Sequence, residues 1–445
     1  MKKTLFSILL ISNSVLASKV TTNLNLPKGK SYFSGEASFR SNELVENVGE
    51  VVGNKYYSNL DMKYDTAESS SIQKVFDLSA RYNDQADLMY SIKEAKVVFN
   101  TTHGAFTVGR TILDWSTVDQ EWGLGKLNNR KNFDYFEPGQ EGLIGFLYEK
   151  KFQNNISVGA FGSILYVPES NPGMEIDEDN KTVTCKNPWC DAPSDSAEIE
   201  GKEIPIYYEV NYPEIADVVF RYSAGLSLGY EYKRLKLQGY MFRKPENSIS
   251  VTAEIVYDTS NEEIIVEATP QFYYHDVKGT ELTYSFSDTF KGYSSFISID
   301  PNTFPDGNEP YLEYTGIKPK KLNEDYLGLG LKYTKNQFYG HLGYIARLSD
   351  FDRENELLVQ YPRWNQAVQL QLKSRITRKL MAELDIKYDT ITEDRLAIVK
   401  TNYNFTSNLS MALGVNVIGT SKDQESYWST YENNDSVYSS LKLRF

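Results

Sequence analysis

The sequence lacks any long apolar run and has a shortage of positive charge. Beyond the first 17 residues no stretch approaches the roughly 18 consecutive apolar residues of a membrane-spanning helix, which excludes a helical membrane protein. Lys and Arg total 47 against 60 Asp and Glu, a net charge of −13. Because phosphate binding requires a basic surface, this balance argues against a nucleic-acid partner.

Aromatic residues are plentiful, and apolar and polar residues alternate along most of the chain. There are 33 Tyr and 22 Phe. The last nine residues place apolar side chains on one strand face and mostly polar ones on the other: Val437, Leu441, Leu443 and Phe445 against Tyr438, Ser440, Lys442 and Arg444. Similar runs occur at 57–64, 72–82, 216–230, 380–388 and 409–417. Alternation at period two indicates strands with one apolar face.

These runs predict an all-β protein. Most have about the 9–11 residues that cross a bilayer at a tilt, and only half of each strand need face lipid. We therefore predict a single transmembrane antiparallel up-and-down β-barrel of about 18 strands, within a range of 16–20. Two weak strands, at 249–257 and 293–299, account for that range.

The connections alternate in length, which predicts the topology. Short turns are expected at 151–155, 231–234, 257–262, 334–337, 377–379 and 405–408. Long segments are expected at 42–54, 113–140, 168–215, 300–324, 349–363 and 419–435. Short periplasmic turns and long extracellular loops are typical of outer-membrane barrels.

The first residues are typical of a secretory signal peptide. Lys2 and Lys3 precede a short apolar segment, and Val15 and Ala17 fit a cleavage site, so we expect a signal at 1–17 and a barrel domain at 18–445. The last alternating stretch ends on Phe445, and this stretch resembles the terminal strand of bacterial outer-membrane barrels. That resemblance implies recognition by the barrel assembly machinery and a Gram-negative outer membrane, with lipid and lipopolysaccharide as partners. The alternative is an edge strand of a soluble sandwich.

Cys185 and Cys190 are separated by four residues in a polar stretch. An exported protein meets an oxidising compartment, which favours a local disulfide. A metal site would need further ligands, and no histidine is near in sequence. We predict a disulfide, no metal site and no cofactor.

One stretch resembles a known group of channels. Val108-Gly109-Arg110 is followed by Trp122-Gly123-Leu124-Gly125. This succession resembles porin-like outer-membrane families, including alginate-export-type barrels and related uncharacterised proteobacterial barrels. The resemblance covers about 25 residues and implies a channel without specifying its solute.

The segment 113–140 that contains this pattern is a candidate constriction loop. Charges of both signs lie in or next to it, and glycines permit tight turns. The candidate constriction residues are Arg110, Asp114, Asp119, Glu121, Arg130 and Lys131. Opposed charges in a pore create a field that selects solutes. The alternative is a rim loop packed by Trp115 and Trp122.

The polar strand faces supply candidate lumen-lining residues of both signs. They are Asp61, Asp77, Arg81, Glu94, Arg221, His341, Arg347, Glu383 and Asp385. We predict a porin-like channel for passive diffusion of small hydrophilic solutes or ions, with a weak preference for cations from the net charge. We expect no enzymatic activity, although a barrel-embedded hydrolase using one of the three histidines is an alternative.

The segment 168–215 supports a second alternative. Between Glu169 and Glu203 it has ten acidic residues against three lysines. Long extracellular loops often carry contacts with partners. The barrel could therefore be a platform for surface adhesion or reception through this acidic loop.

Overall fold

The structure, a computed structural model, describes most of the chain. The described residues are 32–44, 56–66, 71–84, 88–169, 174–185, 187–190, 192–302, 311–313, 316–318, 321–349, 361–421 and 425–445. The predicted signal peptide at 1–17 lies outside them, as do parts of the loops expected at 42–54, 168–215, 300–324, 349–363 and 419–435.

Strands dominate the described residues. In chain order they are β1 (Tyr32–Leu44), β2 (Tyr56–Asp65), β3 (Ile72–Asn83), β4 (Leu88–Thr101), β5 (Gly104–Thr111), β6 (Asn129–Lys131), β7 (Gly139–Glu141), β8 (Leu143–Lys151), β9 (Ile156–Ser163), β10 (Met174–Asp177), β11 (Thr182–Cys185), β12 (Ser196–Ile199), β13 (Lys202–Val210), β14 (Ser223–Tyr232), β15 (Leu235–Pro245), β16 (Ser250–Asp258), β17 (Glu263–Gln271), β18 (Tyr274–Ser285), β19 (Phe290–Asn302), β20 (Tyr311–Glu313), β21 (Gly316–Lys318), β22 (Glu324–Lys335), β23 (Phe338–Arg347), β24 (Gln366–Arg375), β25 (Leu380–Asp389), β26 (Arg395–Asn404), β27 (Leu409–Gly419) and β28 (Ser436–Arg444). The helices are α1 (Thr117–Trp122), α2 (Ile215–Val219) and a 3-10 helix (Ser429–Asn434).

Eighteen of these strands form one closed antiparallel barrel, which confirms the predicted fold class. Successive barrel strands are hydrogen-bonded neighbours, and the strands outside the barrel are β6, β7, β10–β13, β16, β17, β20 and β21. Closure is made by β1 and β28, which pair from Glu36 with Arg444 to Leu44 with Ser436. Past this ladder, the backbone N–H of Gly35 donates to the carbonyl of Phe445 at 2.8 Å. Closure leaves no free sheet edge.

A smaller sheet of six strands lies on the long-loop side, in the order β12-β13-β17-β16-β21-β20. It corrects one prediction: the weak strand expected at 249–257 is β16, which pairs with β17 outside the barrel. The turn expected at 257–262 joins these two strands and is therefore not periplasmic. The other weak strand, at 293–299, is part of β19 in the barrel wall. Periodicity alone did not separate these cases, because a half-exposed hairpin alternates as a barrel strand does.

A second correction concerns 216–230, which was predicted as one strand. The structure has helix α2 first, and β14 begins only at Ser223. Arg221 therefore lies before the wall strand. Its guanidinium packs over the Phe272 ring at 4.3 Å on the long-loop side and does not line a strand face in the lumen.

The outer face of the barrel is apolar. Large side chains point away from the interior and stay exposed, among them Phe146, Leu226, Leu228, Leu342, Leu413 and Leu441. A closed barrel with an apolar belt satisfies its backbone internally and can face lipid. The protein is a closed antiparallel β-barrel with an apolar outer face. None of the helices in the described part of the chain has the length and apolar composition that a membrane crossing requires.

Candidate functional site: a loop inside the barrel

The segment between β5 and β8 leaves the wall early. Strand β5 has 8 residues, whereas its neighbour β4 has 14. The wall therefore releases the chain at Thr111, part-way along β4. On its return the backbone N–H of Gly142 donates to the carbonyl of Lys93 at 2.9 Å, which pairs part of β4 beyond the end of β5. We call residues 112–142 the lumen loop.

The lumen loop is built around helix α1, and the sequence explains where the helix starts and stops. Ser116 is its N-cap, with its hydroxyl accepting from the backbone N–H of Asp119 at 3.4 Å. Gly123 ends the helix in the left-handed conformation, at φ 59°. Serine and glycine are the preferred residues at these positions. The Asp119 carboxylate then accepts from the backbone N–H groups of Lys126 (2.7 Å) and Leu127 (3.2 Å).

Helix α1 is docked on the wall formed by β18, β19 and β22. The backbone N–H of Thr117 donates to Glu281 at 3.1 Å, and that of Val118 donates to the Ser295 hydroxyl at 3.0 Å. These donors belong to the first turn of the helix, which has no partners for them within the helix. The wall therefore satisfies the amide groups that a free helix would leave to water.

Aromatic side chains fill the space between the loop and the wall. Trp115 and Trp122 are each 1% exposed. Trp115 lies 5.9 Å from the Phe242 ring, and Trp122 lies 5.8 Å from the Trp364 ring. Trp364 in turn contacts Trp428 at 5.4 Å. A water-excluding core thus occupies the long-loop half of the barrel interior.

Charged contacts tie the loop to other parts of the wall. The Glu121 carboxylate bonds to the Lys332 ammonium and lies 3.7 Å from Nδ1 of His341. Glu137 lies 3.0 Å from the Lys400 ammonium on β26. The loop also bonds to Ser295 on β19 and to Ser79 on β3, and because these strands are eight positions apart in the ring of 18, the loop spans a large part of the lumen.

The predicted constriction residues take different positions. Arg110 lies on wall strand β5, and its guanidinium lies 2.7 Å from the Glu141 carboxylate. Asp114 is exposed, Asp119 is 1% exposed and holds the loop backbone, and Glu121 pairs with the wall. Arg130 lies 3.5 Å from Glu169, and Lys131 bonds to Ser79 on β3. In this structure, therefore, Asp119 is not exposed to solutes, because it serves as an internal acceptor.

The predicted lumen-lining residues other than Arg221 lie on wall strands, several in contact with one another or with the loop. Arg81 donates to Asn59 at 3.0 Å and to the carbonyl of Phe133 at 3.1 Å. Glu94 pairs with Lys96 at 2.6 Å, and Asp385 accepts from Gln369 at 2.9 Å. Asp61 is exposed on β2, Asp77 lies partly buried on β3, Arg347 ends β23, and Glu383 lies on β25.

An outer cavity of about 500 Å³ lies on the long-loop side, with the lumen loop forming part of its lining. Its charged lining comprises five cations and three carboxylates: Lys126, Arg130, Lys321, Arg347 and Arg363 with Glu169, Glu246 and Glu324. Each carboxylate lies within 3.5 Å of a cation. The lining therefore has two positive charges in excess.

An inner cavity of about 250 Å³ lies at the short-turn end. Its lining carries five cations and one carboxylate, Arg375, Lys379, Lys400, Lys442 and Arg444 with Glu383. Two further carboxylates pair with these cations from outside the lining, Glu36 with Lys442 and Arg444 and Glu137 with Lys400, so the excess is two positive charges. Both cavities are thus positive in a chain whose net charge is −13. The net charge does not reveal this, because composition does not show which charges share a face.

The disulfide predicted between Cys185 and Cys190 is present. The short loop that it closes reaches the lumen loop: the Asn187 amide donates to the carbonyl of Phe133 at 3.4 Å. Trp189 packs on Tyr135 at 5.0 Å and on Phe136 at 5.2 Å. The bridge therefore closes a tip that is buried against the lumen loop.

The hydrolase alternative depends on serine and histidine. His103 lies in a turn, His275 is buried, and His341 bonds to Tyr293 at 3.0 Å. A Gly-x-Ser-x-Gly pattern occurs at 225–229. It lies within strand β14, not on the strand-to-helix turn that exposes a nucleophile. Within the described ranges, no three His, Cys, Asp or Glu residues form a group that could hold a metal ion.

No family model matches the chain, and no curated protein matches it. Among solved structures, OccAB4 of Acinetobacter baumannii is 11% identical, with 95% of this chain and 99% of that chain covered and a TM-score of 0.47. OccD3 (OpdP) of Pseudomonas aeruginosa is 10% identical, with 93% of this chain and 91% of that chain covered and a TM-score of 0.46. A triple mutant of the Rhodopseudomonas blastica porin is 10% identical, with 93% of this chain and 99% of that chain covered and a TM-score of 0.38. At these identities and TM-scores we draw no functional conclusion from the likeness.

Proposed function

We propose that the protein is a porin-like outer-membrane channel through which small hydrophilic solutes or ions diffuse passively. The observation that supports this most is the lumen loop, which spans the barrel and has charged cavities on both of its sides. A barrel that served only as a structural platform would not need charged internal walls. A selective pore needs them, because they interact with the passing solute. Polar wall groups replace part of a solute's hydration, and their charge sets selectivity.

The proposal includes a preference for anions, which replaces the weak cation preference expected from the net charge. Entering solutes meet the cavities, not the outer surface. Each cavity has an excess of two positive charges when the carboxylates paired with its cations are counted. Fields in a cleft with low-dielectric walls are focused, so these local charges outweigh distant acidic loops.

Liposome swelling tests the proposal. Purified full-length protein in vesicles is placed in an isotonic gradient of potassium gluconate or of N-methylglucamine chloride, whose organic ions are of comparable size and opposite charge. We expect swelling with both salts, faster with gluconate. Equal rates would contradict the anion preference alone, whereas no swelling above protein-free vesicles would contradict the channel.

The six-stranded sheet outside the barrel, which we call the outer sheet, supports a second candidate function, surface adhesion or reception. Connections from three parts of the chain build it, and β13 pairs in parallel with β17. Such an assembly gives the acidic segment 168–215 a fixed scaffold. This function predicts a ligand at the outer sheet and no solute flux, so the swelling assay separates the two candidates.

A further inference from the structure

On one side of the barrel the wall strands are short. Strands β5, β8 and β9 have 8, 9 and 8 residues, at or below the 9–11 needed to cross a bilayer. The hydrophobic belt is therefore incomplete at the long-loop ends of these strands, unless another part of the chain supplies the missing apolar surface.

Four exposed apolar side chains lie at this place. Ser163 of β9 and Ser223 of β14 form the last paired position between these two strands. Ile164 directly follows Ser163, and Tyr222 directly precedes Ser223. Because side chains alternate along a strand, both continue the outward face. Ile164 is 71% exposed and Tyr222 is 53% exposed.

Helix α2 adds the other two. Ile215 is 81% exposed, Phe220 is 67% exposed, and the helix has no buried side chain. The backbone N–H of Tyr166 donates to the carbonyl of Val219 at 2.8 Å, which fixes this helix beside the segment that follows β9. A five-residue helix without a buried face gains little from packing in water. We call Ile164, Ile215, Phe220 and Tyr222 the outer apolar patch.

We propose that the outer apolar patch is embedded in the acyl chains of the outer leaflet and completes the lipid-facing belt above the short strands. The patch is continuous with that belt, because Tyr222 is followed on the outward face of β14 by Leu226 and Leu228, 54% and 61% exposed. The Tyr222 ring contacts Tyr274 at 5.0 Å, an arrangement typical of the aromatic girdle at a membrane interface.

The polar residues of the same helix set its depth. Glu214 and Asp217 are exposed on the helix that carries Ile215. Carboxylates are costly in hydrocarbon, so α2 lies at the boundary between headgroups and acyl chains. This surface concerns lipid alone and does not depend on whether the lumen conducts.

Spin labelling tests the proposal. Ile215→Cys and Phe220→Cys are labelled with a nitroxide in the full-length protein, whose native cysteines are bonded to each other. The barrel is placed in phosphatidylcholine vesicles, and collision with oxygen is compared with collision with a water-soluble nickel complex. Leu228→Cys is the matched control in the belt, and Glu198→Cys is the control on the outer sheet.

We expect the oxygen-to-nickel accessibility ratio at 215 and 220 to be several-fold above that at 198 and below that at 228, because α2 lies at the edge of the acyl chains and Leu228 lies mid-way along β14. A ratio like that at 198 would show that the patch projects into water and would overturn the proposal. Low access to both reagents, with dipolar broadening between labels, would show contact with a second copy and would also overturn it. Heat-modifiable migration in detergent gels confirms that each variant is folded.

Discussion

Gly328 on β22 lies directly against Val118 of helix α1. A Cβ atom built at Gly328 would stand 2.7 Å from Cγ2 of Val118, closer than side chains pack. The same valine donates its backbone N–H to Ser295 at 3.0 Å. The wall is thus shaped to accept the helix at this point, and the absence of a side chain at 328 is a condition for the position of the lumen loop.

Substitution of Gly328 by Leu is expected to displace helix α1 from the wall. Overpacking of this kind typically costs about 1–3 kcal/mol. We predict a higher single-channel conductance with the barrel retained. Gly239→Val is the control, since the nearest atom to a Cβ there is 3.9 Å away and belongs to the wall. Unchanged conductance in Gly328→Leu would show that the docked helix does not restrict flow.

Charge reversal at the inner cavity is expected to lower anion selectivity. Arg375 and Lys379 line this cavity and are exposed. Two charges 4 Å apart interact by roughly 1 kcal/mol in water and about 4 kcal/mol at an effective dielectric of 20. The double variant Arg375→Glu and Lys379→Glu should therefore change the anion-to-cation permeability ratio several-fold, as read from reversal potentials in a KCl gradient.

This effect should shrink at high salt, because the screening length falls to about 3 Å at 1 M. Lys335→Glu provides the matched control: Lys335 ends β22 on the same side of the barrel but lines neither cavity. If that variant changes the ratio equally, the inner cavity does not set selectivity.

The short loop closed by the Cys185–Cys190 disulfide is expected to restrict the motion of the lumen loop. Residues 187–190 form a tip in which Trp189 is 6% exposed and packs on Tyr135. We predict that the double variant Cys185→Ser and Cys190→Ser folds into a barrel and shows larger current fluctuations, because the tip is no longer closed. Intact mass after alkylation should show no free thiol in the exported wild-type protein, and two free thiols would refute the bridge.

One buried carboxyl predicts a pH dependence of stability. Asp394 follows β25 in a turn, is 3% exposed, and accepts hydrogen bonds from Thr392 and Ser426 at 2.6 and 2.8 Å. Burial raises its pKa from 3.8 to about 6, and nearby Asp389 adds to the rise. The folded state therefore holds this proton more tightly than the unfolded state, and stability rises as pH falls through 6 and levels off below about 4.

At about 1.4 kcal/mol per pKa unit, the gain is of the order of 3 kcal/mol at most. Asp394→Asn should remove this part of the pH dependence. Urea unfolding in detergent micelles at pH 7.5, 6 and 4.5 measures it as the difference between variant and wild type. A difference that is constant with pH would show that the Asp394 carboxyl does not titrate in this range.

The sequence was a good guide to the barrel and a partial guide to the site. Alternation identified the wall strands at 57–64, 72–82, 293–299, 380–388, 409–417 and 437–445, because lipid on one side and a polar interior on the other impose period two. It failed at 249–257 and at 216–222, where the solvent-exposed hairpin β16–β17 and the lipid-level helix α2 expose apolar side chains for reasons other than the wall.

Segment 113–140 lies inside the barrel, but the contacts that its residues make could not be predicted from their types. Asp119 and Glu121 are two positions apart, yet one binds backbone amides inside the loop and the other pairs with β22 and β23. The partners Lys332, Lys400 and Trp364 lie more than 200 residues away in sequence. Only strand order and register bring them to the loop.

Single-channel recording in a planar bilayer tests the central claim most directly, by comparing the wild-type protein with a variant in which residues 119–130 are replaced by a short glycine-serine linker. We predict a small, anion-selective conductance for the wild type and a several-fold larger one for the variant, with heat-modifiable migration intact in both. Equal conductance would contradict a restricting role for the lumen loop. No conductance in either protein would contradict the channel itself.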